Sequence, residues 1–291
     1  MENLFLYVIT VLIWGSTWLV ITFQLGVVPP ELSVAYRFFL ASLILFAYSK
    51  LRGLKLLFSR QEQFFIALQG LFLFSLNYVM VYFAELYVTS GLVSVLFSAV
   101  IVFNVFFGFL LLRNPVRGSV LLGSLVGILG LVLIFWPELA GLDLVGGRVL
   151  GLILGLVSAV LASLGNIVSA RNQRAGLPVI QTNAYGMLYG SIFTMIFVLA
   201  RGVEFSFDVS ATYIGSLLYL AIFGSVIAFG SYLTLLGRIG ADRAAYVTVM
   251  FPLVALVLSA IFEGLQLNVL QFVGVGLILL GNVIVVRIRK V

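Results

Sequence analysis

Residues 86–112 read LYVTSGLVSVLFSAVIVFNVFFGFLLL, 27 positions without one charged side chain. A helix rises 1.5 Å per residue, so about 20 apolar residues cross the hydrocarbon core of a bilayer. This run is long enough, and it has company. Residues 3–30, 63–84, 118–137, 149–170, 175–200, 209–237, 244–262 and 264–286 are equally free of charge, and 32–49 holds only Arg37. Strands of a membrane barrel would alternate over segments of about 10 residues. These runs are continuous and twice that length. The chain therefore reads as an all-α integral membrane protein with ten transmembrane helices, at 4–25, 31–49, 63–84, 89–112, 118–136, 149–170, 181–200, 210–236, 243–262 and 268–286. The first run lacks a basic leader and a small-residue cleavage site, so it is read as a retained span rather than a signal peptide.

Composition agrees. Of 291 residues, 63% are hydrophobic and 9% charged, against about 25% charged in a soluble domain. There is no cysteine and no histidine. That removes disulfides, thiolate chemistry, the usual zinc and haem ligands and the commonest proton shuttle near neutrality, and no metal or cofactor is expected. The net charge of +6 forms no single patch, so no nucleic-acid partner is expected either.

The basic residues have another use. With the N-terminus in the cytoplasm, the alternate inner loops receive Lys50, Arg52, Lys55, Arg60, Arg113, Arg117, Arg171, Arg174, Arg238, Arg243, Arg287, Arg289 and Lys290. The outer side receives Arg148 and Arg201. Such a bias orients a membrane protein, and most acidic residues, Glu138, Asp143, Glu204 and Asp208 among them, fall on the opposite face. Both termini are thereby placed in the cytoplasm.

The chain also aligns with itself. Pro29, Ala35, Tyr36 and Ser42 fall on Pro178, Ala184, Tyr185 and Ser191 at an offset of 149. Gly15, Ser75 and Tyr82 fall on Gly165, Ser225 and Tyr232 at 150, and Gly123, Leu129, Gly130 and Val132 on Gly274, Leu280, Gly281 and Val283 at 151. Each half holds five spans, an odd number, so the second crosses the membrane in the opposite sense. The expected organisation is a first repeat at 1–137, a connecting loop at 138–148 and a second repeat at 149–291. Inverted repeats are a recurring plan of secondary transporters, which bind substrate near the midplane between the halves.

Trp14-Gly15-Ser16-Thr17-Trp18, Ala35-Tyr36-Arg37-Phe38, the run Gly240-Ala241-Asp242-Arg243-Ala244-Ala245, Pro252 within a span and Glu263 before the last Gly-rich span together resemble the EamA-type drug/metabolite transporters over nearly the whole chain. Within that superfamily the sequence is most similar to bacterial amino-acid exporters of the YddG type. The resemblance implies a multi-pass protein of the bacterial cytoplasmic membrane that exports solutes through a central cavity, with spans 1–4 and 6–9 lining it and spans 5 and 10 peripheral. The halves depart from each other at Val102 against Pro252 and at Arg113-Asn114 against Glu263-Gly264.

Ionisable groups within spans are costly and are functional candidates by default. Arg37 lies six residues into the second span. It is either a bidentate clamp for a substrate carboxylate or an arginine that snorkels outward or is neutralised by Glu31 or Glu85. Glu85 ends span 3 on the same side and can serve an ion pair, a substrate ammonium or proton coupling. Ser75, Tyr78, Tyr82 and Glu85 share one helical face at spacings of 3, 4 and 3, and Ser225 and Tyr232 occupy the repeat-related face of span 8. Trp14, Thr17 and Trp18 form a face near the middle of span 1. Asn77, Asn104, Asn166 and Asn183 are either substrate contacts or interhelical hydrogen-bond partners, and Tyr185 and Tyr189 belong with them. Trp18, Arg37, Tyr78, Tyr82, Asn166, Tyr185 and Tyr232 are the expected substrate-binding residues. Pro252 removes an i to i−4 bond and is the expected hinge.

No phosphate-binding loop of the G-x-x-x-x-G-K-[ST] form is present, and none of the three lysines lies in a span. ATP-driven pumping is thus unsupported. A membrane-embedded enzyme would need a metal site, an acidic pair, a Ser/Lys dyad or a histidine, and none assembles. The expected function is secondary export of amino acids or related small metabolites by alternating access; a facilitator or channel is the alternative. The expected partners are the small-molecule substrate and the lipid bilayer, and a monomer suffices.

Overall fold

Apolar runs become helices here because their backbone groups have no water to bond, and short polar links supply the stops and starts. The computed structural model describes residues 2–113, 118–140, 147–239 and 246–287. The Gly240–Ala245 run, Asn114, Arg117, Asp143, Arg289 and Lys290 lie outside the described residues.

Among the described residues the helical segments are, in order, α1 Glu2–Thr22, α2 Pro30–Leu51, α3 Arg60–Ala84, α4 Ser90–Leu112, α5 Gly118–Ala140, α6 Gly147–Arg174, α7 Val179–Ala200, α8 built of Ala211–Tyr219, Leu220–Ile227 and Ala228–Ile239, α9 Tyr246–Phe262 and α10 Val269–Arg287. No strand occurs among the described residues. By length and composition, α1–α4, α6, α7 and the Ala211–Tyr232 part of α8 can each cross a membrane, and Leu122–Ile134, Val247–Phe262 and Val269–Ile284 are shorter apolar helices. The chain is an all-α, multi-pass membrane protein.

Local chemistry explains the boundaries. Ser59 and Glu62 form a capping box at the start of α3, each bonding the other's backbone N–H. Ser210 accepts from the Tyr213 N–H at the start of α8. Pro30 opens α2, where its missing N–H costs nothing. Gly53 after α2 (φ 62°) and Gly202 after α7 (φ 65°) take the left-handed conformation that ends a helix, at the 149-residue offset.

A second feature recurs near the same offset. Residues Gly70–Leu76 of α3 and Leu220–Ile227 of α8 are π-helical, a distortion frequent at functional positions. Neither was expected from the sequence, which gives no composition signal for a single wide turn.

Packing pairs the helices across the halves. Ser191 of α7 donates to the Ala35 carbonyl of α2 at 2.9 Å, while Arg201 past the end of α7 reaches Glu31 in the first turn of α2. The two helices therefore run antiparallel. So do α5 and α10: Gly130 approaches Gly274 and Gly123 approaches Gly281, and a Cβ on Gly130 or Gly274 would lie 2.6 or 2.7 Å from the other's carbonyl oxygen. These two helices make their principal contact with each other.

Helices α4 and α9 are interrupted differently. Pro252 sits inside α9. In α4 the helix is broken at Ser98 and Ala99, where Ser94 and Ser98 hydroxyls donate to carbonyls three residues back at 2.6 Å. The Val102 N–H turns to Ala99 O at 2.9 Å. Val102 is the position that the repeat aligns with Pro252, so serine back-bonding distorts α4 where a proline stands in α9.

Candidate substrate site between the two halves

The π turn of α8 shapes the centre of the site. Five-residue spacing brings the Ser225 hydroxyl onto Leu220 O at 3.0 Å, and the same hydroxyl accepts from Arg37 Nε at 3.2 Å. Beside it Gly224 leaves room for the guanidinium: a Cβ there would lie 3.2 Å from Arg37 Nη2 and 2.8 Å from Thr17 Cγ2. The guanidinium carbon stands 4.6 Å from the Tyr78 ring centre and 5.2 Å from that of Phe38, a cation–π arrangement. Arg37 is 1% exposed, so it does not snorkel, and its Nη1 has no partner.

Nor is Arg37 neutralised by Glu31. That carboxylate is bound by Arg201 at 2.9 Å. Glu85, at the end of α3, is buried with both carboxylate oxygens unpartnered. Tyr82 donates to Gln24 Oε1 at 2.7 Å, leaving Gln24 Nε2 unpartnered. The polar face of α3 is thus divided. The Tyr78 and Tyr82 hydroxyls lie close to the Arg37 guanidinium, and Glu85 lies near Glu263 first and Arg37 second, whereas Ser75 bonds Thr194 of α7 at 2.8 Å.

An aromatic group adjoins this polar one. Trp18 stacks on Phe251 at 5.9 Å and meets Phe97 at 5.3 Å. Trp14 donates to Gly224 O at 3.2 Å and packs on Tyr232 and Phe229, each at 5.1 Å. Phe251, next to Pro252 in sequence, joins α9 to the same group. On α1, Ser16 and Tyr219 share a 2.7 Å hydrogen bond. Trp14, Phe97, Phe229 and Tyr232 are only partly buried, so one flank of the group is open.

Two expected residues have partners of their own. Tyr185 donates to Leu56 O at 2.9 Å and meets Phe46 and Phe58; Phe46 is nine residues, about 13 Å, along α2 from Arg37. Asn166 donates to Asn104 at 3.3 Å, joining α6 to α4. Asn183 belongs to a buried amide group with Gln69 and Asn172. Gln24, Phe97, Phe251 and Gly224 were not anticipated. The only sequence signal for Gly224 is that its repeat-related position is Phe74.

Unpartnered polar atoms thus lie buried beside aromatic rings inside an all-helical multi-pass protein. The chain belongs to the EamA-like transporter family, whose profile matches residues 2–136 and again 149–287. It is 29% identical over 276 residues to an uncharacterized inner membrane transporter, YedA, of Escherichia coli strain K12, covering 94% of this chain and 87% of that protein. It is 28% identical over 305 aligned positions to a probable amino-acid metabolite efflux pump of the same organism, covering 98% and 96%. A solved crystal structure shares the fold, with a TM-score of 0.67 at 19% identity over 97% of this chain and 95% of that one.

Proposed function

We propose that this transporter is a secondary carrier that exports amino acids or related small metabolites across the cytoplasmic membrane by alternating access. Its ten helices are two inverted five-helix repeats, 1–137 and 149–291, joined by 138–148, with both termini in the cytoplasm. Three observations support the inversion: the antiparallel crossing of α2 with α7, that of α5 with α10, and the recurrence of a π turn near the 150-residue offset. The observation that carries the substrate reading is Arg37. Its guanidinium is buried between α2 and the π turn of α8, facing Tyr78, with Nη1 free to take a carboxylate oxygen. Trp18, Tyr78, Tyr82 and Tyr232 supply aromatic surface and hydroxyl groups around it, and the relative named as an amino-acid metabolite efflux pump is consistent with that class. Asn166 and Tyr185 are more distant lining residues, Glu85 is a charge partner for substrate or proton, and Pro252 is the hinge.

The test is counterflow in proteoliposomes preloaded with each of the twenty amino acids, with labelled solute outside. Wild-type protein exchanges at least one of them saturably, and Arg37→Ala and Tyr82→Ala reduce that exchange by at least about tenfold, the scale of a lost charge-assisted contact. No exchange of any amino acid overturns the substrate class. Flux that does not saturate marks a channel instead of a carrier.

A further inference from the structure

Arg37 and Glu85 are opposite charges held near one another without touching. Arg37 is 1% exposed and Glu85 8%, and within the protein interior an uncompensated charge is costly. A structural ion pair at this end of the bundle has a different appearance: Glu31 and Arg201 meet directly at 2.9 Å. Among the described residues neither Arg37 nor Glu85 makes such a pair, although Glu85 lies in the electrostatic neighbourhood of Glu263 and of Arg37, and a like charge beside it adds to the need for a cation there. Both are fixed from elsewhere. Ser225 holds Arg37 Nε and the Tyr78 ring faces its guanidinium, while Glu85 is set by the end of α3.

The unsatisfied atoms around them form two sets. Arg37 Nη1 and Gln24 Nε2 are donors without acceptors, and Gln24 is joined to the group through the Tyr82 hydroxyl on its Oε1. Glu85 Oε1, Glu85 Oε2 and Thr89 Oγ1 are acceptors without donors, four residues apart at the link between α3 and α4. Two donors suit the two oxygens of a carboxylate, and three acceptors suit the three protons of an ammonium. Buried polar atoms are nearly always bonded, so five orphans on residues linked through Tyr82 and the end of α3 call for a ligand that presents both groups together.

We infer that Arg37 and Glu85 form a receptor for the two charges of a zwitterionic head group, an ammonium and a carboxylate carried on one small molecule. This rests on the transporter reading above and narrows it: free carboxylates and free amines, each lacking one charge, are poor substrates. The aromatic group of Trp18, Phe97 and Phe251 then receives whatever side chain the head group carries.

The experiment uses full-length protein in proteoliposomes. Whichever amino acid exchanges fastest is competed against its decarboxylated amine and its deaminated acid. In wild type both analogues compete at least about tenfold less well than the parent, because each leaves one buried charge unpaired. Glu85→Gln, which is isosteric, erases discrimination against the deaminated acid and keeps that against the amine. Arg37→Gln does the reverse. Size-exclusion elution of each variant in detergent verifies folding, and the wild-type competition stands without any variant. Analogues that compete as well as the parent, or variants that retain both discriminations, overturn the two-charge receptor while leaving amino-acid exchange intact. Absence of exchange for every amino acid overturns the transport reading, and this inference with it.

Discussion

Gly224 has no side chain where the repeat-related position, Phe74, carries a ring, and Gly186 stands where the repeat aligns Arg37. The two halves have exchanged bulk for charge. Around Gly186 the neighbour is Phe74, whose Cε2 would lie 3.2 Å from an added Cβ; around Gly224 it is the Arg37 guanidinium. Of the two niches at positions that the sequence offset aligns, one is thus filled with hydrocarbon and the other with a cation. Gly224→Ala places a Cβ 2.8 Å from Thr17 Cγ2 and 3.2 Å from Arg37 Nη2, and the small group has to displace one of them. The expected result is at least a tenfold loss of exchange, since small misplacements of a binding group are costly. The accompanying destabilisation is about 1–3 kcal/mol, read as a lower melting midpoint in detergent. Exchange at the wild-type rate would show that the position of Arg37 is immaterial.

Among elements, α4 and α9 are the interrupted pair, where the proposed hinge lies. Pro252 deprives α9 of one backbone bond, and Ser94 and Ser98 loosen α4 at the corresponding turn. Pro252→Ala restores that bond and straightens the helix. Its folded yield is expected to equal or exceed wild type while counterflow slows several-fold, and an unchanged rate would remove the hinge role. The start of α4 is held from the other half. Glu263, just past α9, accepts from the Ser90 N–H at 3.1 Å and from the Ser90 hydroxyl, an N-terminal cap supplied by a distant segment. Glu263→Ala leaves that N–H unbonded and is expected to cost about 1 kcal/mol, visible as a drop in thermal midpoint. A midpoint equal to wild type would mean that the cap contributes nothing to folding.

For the whole molecule, α5 and α10 pack chiefly on each other. Their contact depends on glycine: a Cβ on Gly281 would lie 2.5 Å from Gly123 O, and one on Gly274 2.7 Å from Gly130 O. Gly274→Leu is therefore expected to lower stability or yield strongly while the exchange rate per folded molecule stays near wild type. A selective loss of exchange would place these helices in the transport path. Orientation is directly testable because the chain contains no cysteine. Lys55→Cys is expected to resist an impermeant maleimide applied to intact cells, and Glu204→Cys to react with it. The opposite pattern would reverse the topology.

The sequence alone determined that the chain is helical and crosses a membrane, because twenty apolar residues in a row leave the backbone only that way to satisfy itself in lipid. Its self-alignment and its basic loops also led to the two-repeat, termini-inside reading, and the rarity of charge within spans singled out Arg37 and Glu85. Periodicity could not reveal the two π turns, since one extra residue per turn leaves composition unchanged. It could not say that Glu31 belongs to Arg201, nor that Tyr185 faces the α2–α3 link while Tyr82 turns to Gln24. Those partners are 58 to 170 residues apart in the chain. Which buried polar atoms find partners and which stay open depends on helix packing, and only the tertiary structure left Arg37 and Glu85 unpaired.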